Sequence, residues 1–272
     1  MKHILSSLEY FAKISSNSFW LLDYDGTLTP IVEEPGLAVL DPEMKKLLGS
    51  LVSKFKVAII SGRSLSDIKK LVSLKKIYYA GNHGLEISGR GTKFILPEAK
   101  RARPTISRIC DELRNELKHI NGPIVEDKGL TASLHYRSVA RRKIGRVKEI
   151  FDRIVRPHIV SGLIKTTRGK KVLEIRPNVD WDKGKAAACI INLVDPGRKL
   201  VPIYIGDDRT DEDAFLALKN RGITILVAKN QGRSNAEFFL RNVDEVKFFF
   251  EKLLGQARLG RSRQSGERCA LI

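Results

Sequence analysis

A chain of 272 residues with 42% hydrophobic side chains can build one or two packed cores. No apolar run approaches the roughly 20 residues of a membrane-spanning helix, and no continuous signal-peptide core forms at the N-terminus. The three cysteines, Cys110, Cys189 and Cys269, lack CxxC spacing, which argues against a disulfide framework or a zinc site and for a soluble protein of a reducing compartment, the cytoplasm.

The formal charge is +18. Of 49 Lys/Arg, 20 fall between Glu98 and Pro177, against 9 of 31 Asp/Glu, so the excess is concentrated in one segment. A basic segment suits nucleic acid, attraction of a small anionic substrate, or a merely solvated face.

In chain order, Phe19–Leu22 is a short apolar run ending in Asp-Tyr-Asp-Gly. A helix follows, with Pro42 near its start and Met44, Leu47, Leu48, Leu51, Val52 and Phe55 on one stripe. Val57–Ile60 is a second strand stopped by Ser61-Gly62, a helix covers about Asp67–Leu74, and Ile77–Ala80 leads into Gly-Asn-His-Gly. Apolar strand, Gly-containing loop and amphipathic helix in alternation predict a parallel sheet covered on both faces.

From about Ala99 the pattern changes. A helix carrying Ile106, Ile109, Cys110, Leu113 and Leu117 precedes the strand Thr131–Arg137, and a second helix carries Val147, Ile150, Phe151, Ile154 and Val155. Strands Leu163–Thr167 and Lys170–Arg176 complete an α+β block. After Pro177 the first pattern returns: a helix after Trp181-Asp182-Lys183-Gly184, the strand Leu200–Ile205 ending in Gly-Asp-Asp, another helix, the strand Ile223–Val227 and a last helix to about Leu254. The expected fold is thus an α/β core, residues 1–98 and 178–254, interrupted by an α+β domain, 99–177, with a disordered basic tail, 255–272. The last four residues, Cys-Ala-Leu-Ile, match a prenylation pattern short enough to arise by coincidence.

The reactive groups gather where an open α/β sheet places its ligands, beyond the carboxyl ends of strands. Asp23 and Asp25 follow a buried strand, and two carboxylates so close call for a cation. A calcium loop would place Glu34 at its twelfth position, but Leu28 stands at the sixth, where glycine is required. Asp207, Asp208, Asp211 and their neighbours follow a second strand in greater number than helix capping needs, and magnesium prefers such hard oxygen donors. Lys183 opens a helix, where the macrodipole disfavours a cation unless carboxylates or phosphate lie in front of it. Ser61 and Gly62 can offer a hydroxyl and backbone N–H groups to a phosphate. No GxxxxGK[ST] or GxGxxG sequence indicates a nucleotide.

In this order, Asp-Tyr-Asp-Gly-Thr, Ser61-Gly62, Lys183-Gly184 and Gly-Asp-Asp-Arg-Thr-Asp resemble the four motifs of the haloacid dehalogenase superfamily of phosphohydrolases. The α+β block is similar to that superfamily's cap domain. Gly-Asn-His-Gly-Leu-Glu (81–86), Leu-His-Tyr-Arg (134–137) and Lys-Val-Leu-Glu-Ile-Arg-Pro (171–177) resemble trehalose-6-phosphate phosphatases.

The resemblance implies a Rossmann-like core, hydrolysis of a sugar phosphate, and roles for particular residues. Asp23 is the expected nucleophile and Asp25 the general acid and base. Mg2+ would be held by Asp23, the backbone carbonyl of Asp25 and Asp207, with Asp208 or Asp211 directly or through water. Ser61, Gly62 and Lys183 would bind the transferring phosphate, and Arg63, Asn82, His83, Arg137, Lys170, Glu174 and Arg176 the substrate. Strand alternation independently puts Lys170, Glu174 and Arg176 on one face, opposite Leu173 and Ile175, as it does Thr131, Ser133, His135 and Arg137 opposite Ala132, Leu134 and Tyr136. A sheet with one face in water would show the same alternation.

The expected partner is a small-molecule sugar phosphate, trehalose 6-phosphate first, with sucrose phosphate, a glycosyl-phosphoglycerate or a hexose phosphate as alternatives. No membrane and no specific nucleic acid are expected: a nucleic-acid protein would interleave aromatics with its basic residues, and this segment has few. The sequence sets no oligomeric state.

Overall fold

The computed structural model describes residues 1–7, 17–32, 35–169, 171–230 and 232–267. The chain divides into two compact units, Met1–Lys93 with Asp182–Ile272, and Phe94–Trp181. The boundaries fall a few residues outside the expected 99 and 177.

The core unit holds a sheet of nine strands among the described residues: β1 (Lys2–His3), β2 (Ser18–Leu22), β3 (Lys56–Ile60), β4 (Tyr78–Gly81), β5 (Glu86–Gly89), β6 (Thr92–Ile95), β11 (Val201–Gly206), β12 (Ile223–Val227) and β13 (Phe238–Leu240). Their order is β1-β13-β12-β11-β2-β3-β4-β5-β6, parallel from β1 to β4, with β5 antiparallel to β4. Every residue of β2 and β12 is buried, the reason both read as unbroken apolar runs.

Helix α1 (Pro42–Lys54) starts where Asp41 accepts a hydrogen bond from Met44 N and Pro42 takes the first turn. It buries Met44, Leu48 and Leu51 on the same sheet face as Trp20, Leu22, Phe249 and Phe250. Helix α2 (Leu65–Val72) is capped by Ser64, which accepts from Asp67 N. Helices α5 (Lys183–Val194) and α6 (Asp211–Leu218) pack on each other, and Tyr204 meets Phe215 of α6 edge to face.

The inserted unit has a four-stranded antiparallel sheet, β7 (Ile124–Asp127), β8 (Ala132–His135), β10 (Val172–Pro177) and β9 (Ile164–Gly169), in that order. Helices α3 (Pro97–Leu117) and α4 (Ile144–Val160) bury Ile106, Leu113, Phe151 and Ile154 against Leu134, Leu173 and Ile175. The other face carries Ser133, Glu174 and Arg176.

Four differences from the sequence reading concern strands and the tail. The short strands β5, next to the sheet edge, and β6 and β7, at sheet edges, are mostly half-buried or exposed and contain Gly, Thr, Lys, Glu or Asp, so no apolar signal marks them. Strands β1 and β13 are two and three residues long. Strand and helix ends shift by one or two residues, as at β8 and α2. The last helix, α7, runs Val243–Glu267 rather than stopping near Leu254. Residues 268–272, with the Cys-Ala-Leu-Ile ending, lie outside the described residues, as does Lys170.

Candidate active site

Strands β2 and β11 are parallel neighbours, so the segments leaving them run side by side: Asp23 N donates to Ile205 O at 2.9 Å. This register brings Asp23 and Asp207 together although 183 residues separate them in sequence. Tyr24, between the two aspartates of the first motif, is buried, and its hydroxyl donates to Ala38 O at 2.8 Å. The turn beyond it is closed by N–H groups of Leu28 and Thr29 on Tyr24 O. Gly26 has φ +85, and a Cβ there would lie 2.0 Å from Asp207 Oδ2, so only glycine lets the two loops approach.

Lys183 is the first residue of α5 and only 3% exposed. Its Nζ donates to Asp23 Oδ1 at 2.8 Å and Asp211 Oδ1 at 2.7 Å, with Asp208 Oδ1 at 3.6 Å. Burial disfavours its charge, but the carboxylates of Asp23 and Asp211 outweigh that and hold its pKa well above the ordinary lysine value. Those carboxylates also offset the unfavourable dipole at a helix start.

Asp211 is fully buried and fully engaged. Its Oδ1 accepts from Lys183 and from Tyr204 OH at 2.7 Å, and its Oδ2 accepts from the backbone N–H groups of Asp207 and Asp208, each at 3.0 Å. Burial, then the Asp211 charge, keeps the Tyr204 phenol well above its usual range, so it remains a donor. Asp208 Oδ1 caps the following turn, accepting from Thr210 N at 2.8 Å and Thr210 Oγ1 at 2.7 Å. Burial opposes its ionisation, but Lys183 and the Thr210 donors prevail and bring its pKa down to about 2.

Asp207 differs. Its Oδ1 is buried with no hydrogen-bond partner, and burial plus the Asp211 and Asp208 charges push its pKa up to about 7. Asp23 is likewise raised by burial, with Lys183 opposing and Asp211 and Asp207 adding to the rise. Asp23, Asp207 and Asp211 each bring a carboxylate oxygen within 4.8 Å of the others. An orphaned carboxylate oxygen amid crowded negative charge fits a small hard divalent cation. Asp211 is saturated by four protein donors, whereas Asp207 keeps a buried oxygen open beside Asp23.

Asp25 is gripped by Arg63, whose Nε and Nη2 donate to its two oxygens at 2.8 and 2.6 Å. Arg63 also lies over the Tyr24 ring, 5.5 Å from its centre. The Ser61-Gly62-Arg63 loop leaves β3, beside β2, and is clamped from the β4 side: His83 N donates to Ser61 O at 2.8 Å and Asn82 N to Arg63 O at 2.7 Å. Asn82 and His83 adopt left-handed φ of 52° and 56°, a strained pair. A Cβ on Gly62 would meet the His83 ring at 2.8 Å. Asn82 itself is fully buried and donates to Glu86 Oε1 at 2.8 Å, a strut behind the loop.

In the inserted unit, Glu174 pairs in register with Ser133 and Thr167, and its Oε2 accepts from Thr167 Oγ1 at 3.0 Å. Arg176 is half-buried on the same face and Arg137 is exposed beyond β8. The sequence reading overlooked Tyr204. Tyr204 had a legible signal: a phenol inside an apolar strand must find a buried partner for its hydroxyl.

Comparison with known proteins agrees with this arrangement. The trehalose-phosphatase family model matches residues 21–244. The Arabidopsis thaliana trehalose-phosphate phosphatase B is 37% identical over 86% of this chain and 65% of its own length. The probable trehalose-phosphate phosphatase 3 of Oryza sativa subsp. japonica is 39% identical over 86% of this chain and 68% of its own. Among solved structures, a trehalose-6-phosphate phosphatase related protein superposes with TM-score 0.76 at 26% identity, covering 90% of this chain and all of that one. The Candida albicans trehalose-6-phosphate phosphatase C-terminal domain, at 23% identity and TM-score 0.73, shares the fold over 92% of this chain and 96% of its own. With its motifs in order, its carboxylates at adjacent strand ends and a family match over most of its length, the chain belongs to the trehalose-phosphatase family.

Proposed function

We propose that the chain hydrolyses trehalose 6-phosphate to trehalose and phosphate, as a phosphoric monoester hydrolase of trehalose biosynthesis. The observation that carries this reading is the buried Lys183 held between Asp23 and Asp211 at the carboxyl edge of the sheet, in a member of this family.

Asp23 is the nucleophile: with Oδ1 on Lys183, its Oδ2 attacks phosphorus, forming an O–P bond as the bond to the sugar oxygen breaks. Asp25 gives that oxygen its proton, then takes one from the water that attacks the aspartyl-phosphate and releases phosphate. For either transfer one Asp25 oxygen must leave the Arg63 fork, and the phosphate itself is an alternative partner for that guanidinium. Lys183, Ser61 Oγ and the loop at Gly62 bind the transferring oxygens.

Mg2+ is the cation we assign to Asp23, Asp207 and the Asp25 carbonyl; when bound it neutralises charge between carboxylate and phosphate. Asp208 and Asp211 act one step removed, fixing the loop and Lys183. Chelation with EDTA is expected to remove activity and magnesium to restore it, read as phosphate release from trehalose 6-phosphate. Full activity in metal-free buffer would sink the cation assignment.

The sugar is assigned to the polar sheet face of the inserted unit, through Glu174 and Arg176, with Arg137 beyond β8. The basic surplus there supports attraction of an anionic substrate. Glu174→Ala is expected to lower trehalose-6-phosphate hydrolysis at least about tenfold, through kcat as well as KM, since remote contacts orient the reacting centre. Hydrolysis of p-nitrophenyl phosphate, which cannot use those contacts, should change little, and equal losses on both esters would refute the assignment. Cys110 and Cys189 are free thiols, which supports a cytoplasmic location.

A further inference from the structure

We propose, on the phosphatase reading above, that Tyr204 is a positioning residue for the phosphoryl transfer: its hydroxyl fixes Asp211, and through Asp211 it keeps the Lys183 ammonium aligned with Asp23 and the transferring oxygens.

Tyr204 is built as a fixed point. It is the fourth residue of β11 and fully buried, with its backbone paired to Leu21 of β2 on one side and Thr224 of β12 on the other. Ile203 and Ile205, its neighbours in the strand, face the core around Trp20, so Tyr204 points to the other face of the sheet. There its ring meets Phe215 edge to face, 5.8 Å between centroids. A side chain with only two torsions, held at both backbone and ring, delivers its hydroxyl to one place. That place is Asp211 Oδ1, 2.7 Å away. A phenylalanine would fill the same space without a polar atom to desolvate, so the hydroxyl is useful for what it holds rather than for packing.

Asp211 joins the parts of the site that must be aligned. Its Oδ1 also accepts from Lys183 Nζ at 2.7 Å, and its Oδ2 from the N–H groups of Asp207 and Asp208. Gly206 lets the carboxylate in this close: a Cβ there would lie 2.3 Å from Asp211 Cγ. The torsion that sets a carboxylate's plane is soft, so the donors on its two oxygens decide it. Three of those donors belong to the groups being placed, and Tyr204 is the one that comes from the middle of the sheet. Without its hydroxyl, Oδ1 keeps a single donor, Lys183, and the carboxylate can turn. The ammonium follows its buried anion and leaves its place 2.8 Å from Asp23 Oδ1. Small misplacements of this kind weaken the stabilisation of charge that develops on the transferring oxygens.

The test compares Tyr204→Phe with the native full chain, in saturating magnesium, on trehalose 6-phosphate and on p-nitrophenyl phosphate. Ile225→Ala is the stability control, since Ile225 lies in β12 on the opposite face of the sheet, in the core with Trp20. In Tyr204→Phe we expect kcat and kcat/KM to fall together, at least about tenfold and alike on both esters, with KM within about twofold of native, the pattern of an interaction felt in the transition state. Ile225→Ala should melt at least as low as Tyr204→Phe and keep kcat within about twofold of native. Four results would overturn the proposal while leaving the phosphatase reading intact: native kcat in Tyr204→Phe, a raised KM at native kcat, a loss confined to the sugar phosphate, or an equal loss of kcat in the control. A native chain that releases phosphate from neither ester would overturn the reading itself, and the role of Tyr204 with it.

Discussion

Asp23→Asn is expected to abolish turnover, by at least about 10⁴-fold in kcat, the scale at which deleting a nucleophile is felt. An amide oxygen can still accept the Lys183 hydrogen bond, so the cluster should keep its shape, but it cannot form an O–P bond. The substitution also removes one carboxylate from a group where burial and mutual repulsion already raise Asp23 and Asp207. The metal-free variant should therefore melt no lower than the native protein. Phosphate release and acid-quenched intact mass are the readouts: native chain caught in turnover should carry a phosphoryl adduct and the variant none. Appreciable turnover by a folded variant would end the covalent mechanism.

Lys183→Met should damage both activity and stability. Methionine fills the space of the stem but leaves Asp23 and Asp211 buried without their cation, and breaking such a buried pair costs about 3–5 kcal/mol. The deficit should depend on pH, because carboxyls whose pKa is raised in the folded state bind protons that the unfolded chain does not. Stability then falls as pH rises from the ordinary carboxylate range through the folded value, about 7 for Asp207 even with Lys183 present. Denaturant melts should show the variant furthest below the native protein above pH 7 and closest near pH 5. A deficit independent of pH would mean that Lys183 contributes packing rather than charge.

Long, fully buried strands were legible from sequence because burial on both faces leaves an apolar run, as in Phe19–Leu22 and Ile223–Val227. Edge strands such as β7, with its Glu126 and Asp127, carry no such signal. That Asp23 and Asp25 should come beside Asp207 was legible by position, since sheet topology puts the ends of β2 and β11 together. What could not be read was the division of labour among the acids. That Asp211 is saturated by Lys183, Tyr204 and two backbone N–H groups, while Asp207 keeps an oxygen open, depends on rotamers and loop geometry that spacing does not encode. Asn82 is similar: its left-handed backbone turns the amide inward to Glu86.

The placement of β11 beside β2 bears on how the chain acquires its structure during synthesis. β2 pairs on one side with β3, made soon afterwards, but on the other with β11, where Ser18 meets Val201. When the ribosome has delivered the first half, Phe19–Leu22 still has an open hydrogen-bonding edge, and closing it waits for a partner most of a chain length away. The unit Phe94–Trp181 is continuous in sequence and can complete its own core in that interval. The nascent chain thus passes through a stage in which the inserted unit is finished while the strand bearing Asp23 offers an unpaired apolar edge, the kind of surface that holdase chaperones cover and aggregation exploits.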